Sequence, residues 1–141
     1  MGDFVICDID EDLLKKIKKF KMRKEKNIAA IIMKINVEKH LIVVDEELED
    51  TSIEEFQESL PTHQPSYSLV SYVHKHDDGR VSYPYFFIYV APRGCKPELQ
   101  MMYAGSKLNI IKMSGATKDF EVRSVDEIDE DWLKEKLRFF R

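Results

Sequence analysis

Residues 67–91 read YSLVSYVHKH-DDGR-VSYPYFFIYVA. Two β-rich runs, 67–76 and 81–91, flank Asp77-Asp78-Gly79-Arg80. An Asp-Gly pair between such runs is a strong hairpin signal, because glycine enters the positive-φ conformation a tight turn demands. Outward from this hairpin, "IAAIIMKI" (28–35) and "HLIVVD" (40–45) are apolar runs suited to buried strands, with 36–39 as the turn between them. "KDFEVRS" (118–124) alternates like one more strand. The intervening segments carry helical patterns. Over residues 10–21, Leu13, Leu14, Ile17 and Phe20 share a face, and Asp10 is placed to cap it. Ser52 with Glu55 forms a capping box that opens a short helix ending near Pro61. Ser124 with Glu127 opens a final helical region holding Trp132, Leu133, Leu137 and Phe140. The order α-β-β-α-β-β-α-β-α predicts an α+β fold: one domain over residues 1–141, a central mixed β-sheet, and helices packed on both faces.

The segment between the hairpin and the last strand is unusual. "CKPELQMMYAGSK" (95–107) starts a helix at Pro97 and Glu98, where a missing N–H costs nothing and a carboxylate meets the positive end of the dipole. At 100° per residue, Leu99, Met102, Tyr103, Ser106, Ile110 and Met113 gather on one side. Met101, Ala104, Gly105 and Leu108 gather on the opposite side, with Gln100 and Lys107 on one flank and Asn109 on the other. A helix with two apolar faces is either buried on both sides or docks its second face onto a partner, methionine supplying an adaptable contact.

Composition narrows the function. The chain has 141 residues, 43% hydrophobic and 34% charged, with a net charge of −4, which argues against a general nucleic-acid binder. Cys7 and Cys95 form no CxxC pair and suggest a reducing compartment. The apolar run at 85–91 is too short to cross a bilayer, no signal-peptide pattern follows Met1, and Ile6 stands where a myristoylation motif wants Ser or Thr. Charge is uneven. Eight Lys and Arg residues crowd 15–26, and eight Asp and Glu residues crowd 45–58. A solvated face is the default reading, though a basic segment also suits an acidic protein or a phosphoinositide headgroup.

No catalytic motif is present: GxSxG, HExxH and the phosphate-binding glycine loop are all missing, and no cofactor is expected. His74, His76 and Asp78 are the best metal candidates. Two imidazoles and flexible turn carboxylates fall short of three or four convergent ligands, so the stretch reads as a solvated hairpin end. Cys95, ahead of the long helix, lacks an adjacent histidine and reads as a small buried apolar residue.

"CKPELQMMYAGSK", "HDDGRVSYP" (76–84), "FKMRKEKNIAAIIMKI" (20–35) and the ending "WLKEKLRFF" (132–140), in this order and spacing, resemble the glia maturation factor family. The likeness runs from about Val5 to Arg141, and that family belongs to the wider ADF/cofilin-homology fold. The resemblance implies a regulator of branched actin networks that binds the actin-related-protein branching complex, dissociates branches and inhibits new nucleation, without being an enzyme. It implies docking through Glu98, Gln100, Met101, Ala104, Gly105, Lys107 and Leu108 on the long helix, with Asp3 and Phe4 of the N-terminal segment. A second surface, needed for debranching, would comprise Asp77, Asp78, Arg80, Arg23 and Lys24, and the first actin subunit of a daughter filament would be a further contact. A monomer is expected, with weak or no binding to monomeric actin and no membrane insertion, in the cytoplasm, at the actin cortex and also in the nucleus.

Departures from the cofilin pattern matter. Cofilin-like helices carry Lys-x-Lys-Met ahead of Tyr-Ala; here the stretch is Glu98-Leu99-Gln100-Met101. The apolar anchor is kept, while the two lysine positions hold an acid and an amide, which would disfavour ordinary actin. Cofilin's regulatory N-terminal serine has no match in Met1-Gly2-Asp3-Phe4, so control by phosphorylation there is not expected. Leu108 makes the outer stripe more apolar than the Ser-Lys-Asn sequence common in animal relatives. Two rivals follow: an actin-severing or depolymerising protein of the same fold, and a small redox or metal enzyme using Cys95 or the His74/His76 pair.

Overall fold

The computed structural model describes residues 6–138. In chain order the elements are β1 (Asp8–Ile9), α1 (Glu11–Lys21), β2 (Ala29–Asn36), β3 (Leu41–Leu48), α2 (Ile53–Ser59), β4 (Ser66–Ser71), β5 (His74–Lys75), β6 (Val81–Ser82), β7 (Tyr85–Val90), α3 (Pro97–Ser114), β8 (Lys118–Val122), a 3-10 turn (Val125–Glu127) and α4 (Glu130–Leu137). Six strands form one sheet in the order β1-β3-β2-β4-β7-β8. The β2–β3, β2–β4 and β4–β7 pairs are antiparallel; β1 lies parallel to β3, and β8 parallel to β7. This is the mixed sheet expected. The parallel pair β7–β8 needs a crossover, and α3 supplies it.

Helices cover both faces. On one, Leu13 and Ile17 of α1 and Tyr103 and Ile110 of α3 pack on Ile31, Met33, Tyr67, Leu69 and Phe87. On the other, Ile53 and Phe56 of α2 and Leu133 and Leu137 of α4 pack on Ala30, Ile32, Val70, Phe86 and Ile88. This double cover explains why β2 and β7 read as near-continuous apolar runs rather than alternating ones.

Several expectations need correction. β1 was not anticipated: two residues carry no periodic signal, and it exists because Asp8 N–H and Asp10 N–H donate to the carbonyls of His40 and Ile42. The hairpin forms with Gly79 at φ +92°, but each run breaks where Tyr72 N–H bonds Pro84 C=O, leaving β5–β6 as a separate two-stranded tip. Pro84 has no N–H to continue a ladder. Asp10 precedes α1 but makes no side-chain cap. Ser52 does cap α2, accepting from Glu55 N–H at 3.1 Å. The Ser124/Glu127 capping box opens only the 3-10 turn; α4 starts afresh with Asp129 accepting from Trp132 N–H at 2.7 Å. Met113 is 49% exposed, its place in the core stripe taken by buried Ser114. Met102 is half-buried, and so is Cys95, whose thiol lies 3.5 Å from the His63 carbonyl. Asp3, Phe4 and Phe140 lie outside the described residues.

The uneven charge resolves in part. Lys16 pairs with Glu47 at 3.0 Å and Arg23 with Glu49 at 2.5 Å, so the basic α1 region lies against the acidic end of β3.

Candidate protein-docking site

The long helix α3 is fastened to the sheet by buried hydroxyls as well as by apolar packing. Tyr67 OH, from the middle of β4, donates to the Tyr103 carbonyl. Ile35 N–H donates to the Tyr103 hydroxyl oxygen at 2.9 Å. Farther along, Tyr85 OH donates to the Ser114 carbonyl at 2.7 Å, and Gly115 closes the helix in the left-handed region at φ +69°. Burial pushes the phenols of Tyr67, Tyr85 and Tyr103 up from their ordinary range, so they stay protonated and keep their bonds across the physiological range.

With its inner face held, α3 turns Met101, Ala104 and Leu108 outward. Met101 is 45% exposed and Leu108 69%. Among the described residues nothing covers this stripe, so the helix is not buried on both sides. Glu98 is exposed in the first turn; Gln100 and Gly105 are half-buried on the flanks. Lys107 reaches Glu121 of β8 at 3.3 Å and sits 5.6 Å from the Tyr89 ring centroid. Burial and Glu121 push the Tyr89 phenol up to about 12.

The N-terminal segment is tied to the same helix. Cys7 N–H donates to Ser106 Oγ at 2.9 Å, and Asn109 Nδ2 donates to the Cys7 carbonyl at 3.3 Å. This clamp fixes Cys7 in the core and leaves Ile6 62% exposed. Its role was missed from the sequence, although a serine inside an apolar stripe was the available signal: a buried hydroxyl there needs a partner.

The hairpin tip and the residues after α1 are the two stretches the sequence names for a second surface. His76 N–H donates to the Arg80 carbonyl and Gly79 N–H to the His76 carbonyl, a tight turn with glycine in its last loop position. Asp78 pairs with Arg80 at 2.7 Å and accepts from the Arg80 backbone; these bonds hold its carboxyl below the usual range. Asp78 is therefore turned to Arg80 rather than to the imidazoles. His74 and His76 rings meet edge-on at 4.5 Å, and His76 Nε2 lies 2.8 Å from Ser82 Oγ. Burial, and then the neighbouring His76, lower the proton affinity of His74.

Arg23 and Lys24 reach the base of this hairpin, lining a cleft of about 290 Å³ with Ser71, Tyr83 and Tyr85. They differ in availability. The Arg23 side chain is only 8% exposed and bonds Asn27, Glu49 and Ser71, whereas Lys24 is exposed. The sequence thus named five residues in two groups, Arg23 and Lys24 beside the hairpin base and Asp77, Asp78 and Arg80 at its tip, with Arg23 largely spent on holding the loop. Because Tyr85 joins the hairpin base to the end of α3 at Ser114, while Met101 lies thirteen residues earlier, about 20 Å of helix separates Met101 from the hairpin base.

Residues 6–138 match the family model of cofilin/tropomyosin-type actin-binding proteins. The chain is 54% identical to human glia maturation factor beta over 96% of each chain, and 46% identical to the Drosophila melanogaster glia maturation factor over 98% of this chain and 100% of that one. The solution structure of glia maturation factor from Caenorhabditis elegans superposes with a TM-score of 0.82 at 42% identity, covering 96% of this chain and 99% of that one. Identity to glia maturation factors over nearly the whole chain, on the fold shared with the nematode one, places the chain in the glia maturation factor family of ADF-homology proteins.

Proposed function

We propose that this protein binds the actin-related-protein branching complex, dissociates existing branches and inhibits new nucleation. The observation that carries the reading is the outer stripe of α3: Met101, Ala104 and Leu108 stand exposed on a helix whose other face is fixed by Tyr67, Tyr103, Ser106 and Ser114. A rigid apolar stripe exposed to solvent suits docking into a groove on a partner, and it is already ordered before binding. Glu98, Gln100, Gly105 and Lys107 border the stripe, and Asp3 and Phe4 extend the contact through the N-terminal segment. Membership in a family of actin-binding regulators supports an actin-like partner, and the Glu98/Gln100 pair is the departure that turns preference from monomeric actin toward the complex.

The second contact is the hairpin tip, with Asp77, Asp78 and Arg80, joined by Lys24 and the backbone around Arg23. Its separation from Met101 lets both surfaces engage at once, one on the complex and the other on the first actin subunit of the daughter filament. Function then needs no chemistry in this chain. Binding energy spent on a geometry the intact branch cannot adopt is sufficient to shift it toward dissociation.

The test pairs two titrations at fixed salt, one against purified branching complex and one against monomeric actin, with single-filament microscopy of branch lifetime. Tighter binding to the complex and shortened branch lifetimes are expected. Tight actin binding with filament severing and no effect on branches would instead make this an ADF/cofilin-type severing protein.

A further inference from the structure

A shallow groove of about 690 Å³ runs beside the C-terminal half of α3, lined by neither the outer stripe nor the hairpin. Ile9 of β1, Leu14 of α1, Leu41 of β3 and Met113 of α3 give it an apolar floor; Asp8, Asp10 and Glu11 form its rim, with Asn109. No lysine or arginine lines it, in a chain carrying 22 of them.

Two further facts describe the charge of this rim. No ion pair among the described residues involves Asp8, Asp10 or Glu11. Asp10 stands at the helix-capping position of α1 yet makes no cap, leaving its carboxylate uncommitted. The backbone beneath is fixed, since Asp8 and Asp10 N–H donate to β3 carbonyls at 3.1 and 3.0 Å. Carboxylates on a rigid edge above an apolar floor present one sign of charge to whatever lies in the groove. Met113, half exposed at the end of the floor, supplies a side chain that adapts to the apolar residue it meets.

We propose that this groove takes a basic amphipathic segment of a protein partner, its apolar residues on Ile9, Leu14, Leu41 and Met113 and its cations against Asp8, Asp10 and Glu11. Charge complementarity selects this occupant: an acidic segment would meet uncompensated carboxylates, and a purely apolar one would leave them desolvated. The inference does not rest on the branching-complex reading, because neither the outer stripe nor the hairpin lines the groove.

The experiment uses the full chain and a defined probe, an 18-residue Lys/Leu peptide amphipathic as a helix, beside a scramble of equal composition with no apolar face. Binding is followed by the Met113 methyl and Asn109 side-chain amide resonances. Saturable shifts at both, with the scramble bound at least about tenfold more weakly, are expected. The double substitution Asp8→Asn with Glu11→Gln, both exposed, should weaken binding about five- to twentyfold and flatten its salt dependence. Met101→Ala should leave it unchanged. Shifts centred on Met101 and Leu108, equal binding of the scramble, or an unaffected double variant would each overturn the proposal. Sedimentation of the chain alone adds one more check: a dimer dissolved by the double variant would mean that the groove holds a second copy rather than a partner segment.

Discussion

Met101→Ala separates what α3 does for the fold from what it does for the partner. The side chain is 45% exposed, so folding buries only about half of it. Full burial of a methionine is worth about 1.5–3 kcal/mol, and roughly half of that, less the part that alanine's own Cβ retains, leaves below about 1 kcal/mol at risk. Alanine also has the better helix propensity, which offsets part of the loss. The melting temperature should move by a few degrees at most for a domain of this size. Docking should respond differently. If Met101 is an anchor at the centre of the interface, truncation costs about 1–2 kcal/mol, a five- to thirtyfold rise in Kd. Ile110→Ala is the mirror variant: fully buried, it should destabilise the fold by about 2–5 kcal/mol, while correctly folded protein binds normally at low temperature. Calorimetry and a titration against purified branching complex read the two quantities separately. A Met101→Ala protein that melts many degrees lower yet binds with unchanged affinity would refute the reasoning, because the exposed stripe would then be structural.

Four other outcomes are expected. Asp77→Ala with Arg80→Ala should preserve docking but lengthen branch lifetime under single-filament microscopy; normal debranching would remove the hairpin from the mechanism. Glu98→Lys with Gln100→Lys should bind monomeric actin more tightly and the complex more weakly, at a cost of about 0.3–1 kcal/mol per lysine from the helix dipole; unchanged affinities in paired titrations would move selectivity elsewhere. Tyr103→Phe leaves the Ile35 N–H buried without its acceptor and should lower unfolding free energy by about 1–3 kcal/mol in a denaturant titration. His74 binds its proton less readily in the fold than in the unfolded chain, so unfolding takes up protons as pH falls below about 6.5; stability should decline there more in the wild type than in His74→Asn, and not change above that range.

What was legible in the sequence followed the range of the forces involved. Strands β2 and β7 announced themselves through long apolar runs, and β4 through its β-rich run leading to the turn at Gly79. The outer stripe of α3 was visible because periodicity survives over 18 residues. What was hidden depended on partners distant in sequence. Two-residue β1 exists only through carbonyls of His40 and Ile42. Met113 fell outside the core because the buried stripe runs through Ile110 to Ser114, where Tyr85 holds the helix end, and spacing alone cannot choose between neighbours on one flank. Arg23 carried the same signal as Lys24, a cation in a basic run; only the fold shows that Asn27, Glu49 and Ser71 occupy it. Ser124 and Glu127 formed their box as spelled, but Ile128, in extended geometry, ended the turn before a helix could grow.

The division of labour on α3 has a consequence for how the docking face tolerates change. Its position depends on bonds that end on backbone atoms: Tyr67 and Tyr85 donate to the carbonyls of Tyr103 and Ser114, and Ser106 accepts from Cys7 N–H. None of these contacts uses a side chain of the outer stripe. Residues 101, 104 and 108 can therefore vary with little effect on the fold, while the helix that presents them stays in register with the sheet. A surface built in this way can exchange lysines for Glu98 and Gln100, or accept an apolar Leu108, without rebuilding the core. On the proposed reading, partner choice rests on a few outward positions, and an altered preference among actin-like targets would require only that those positions change.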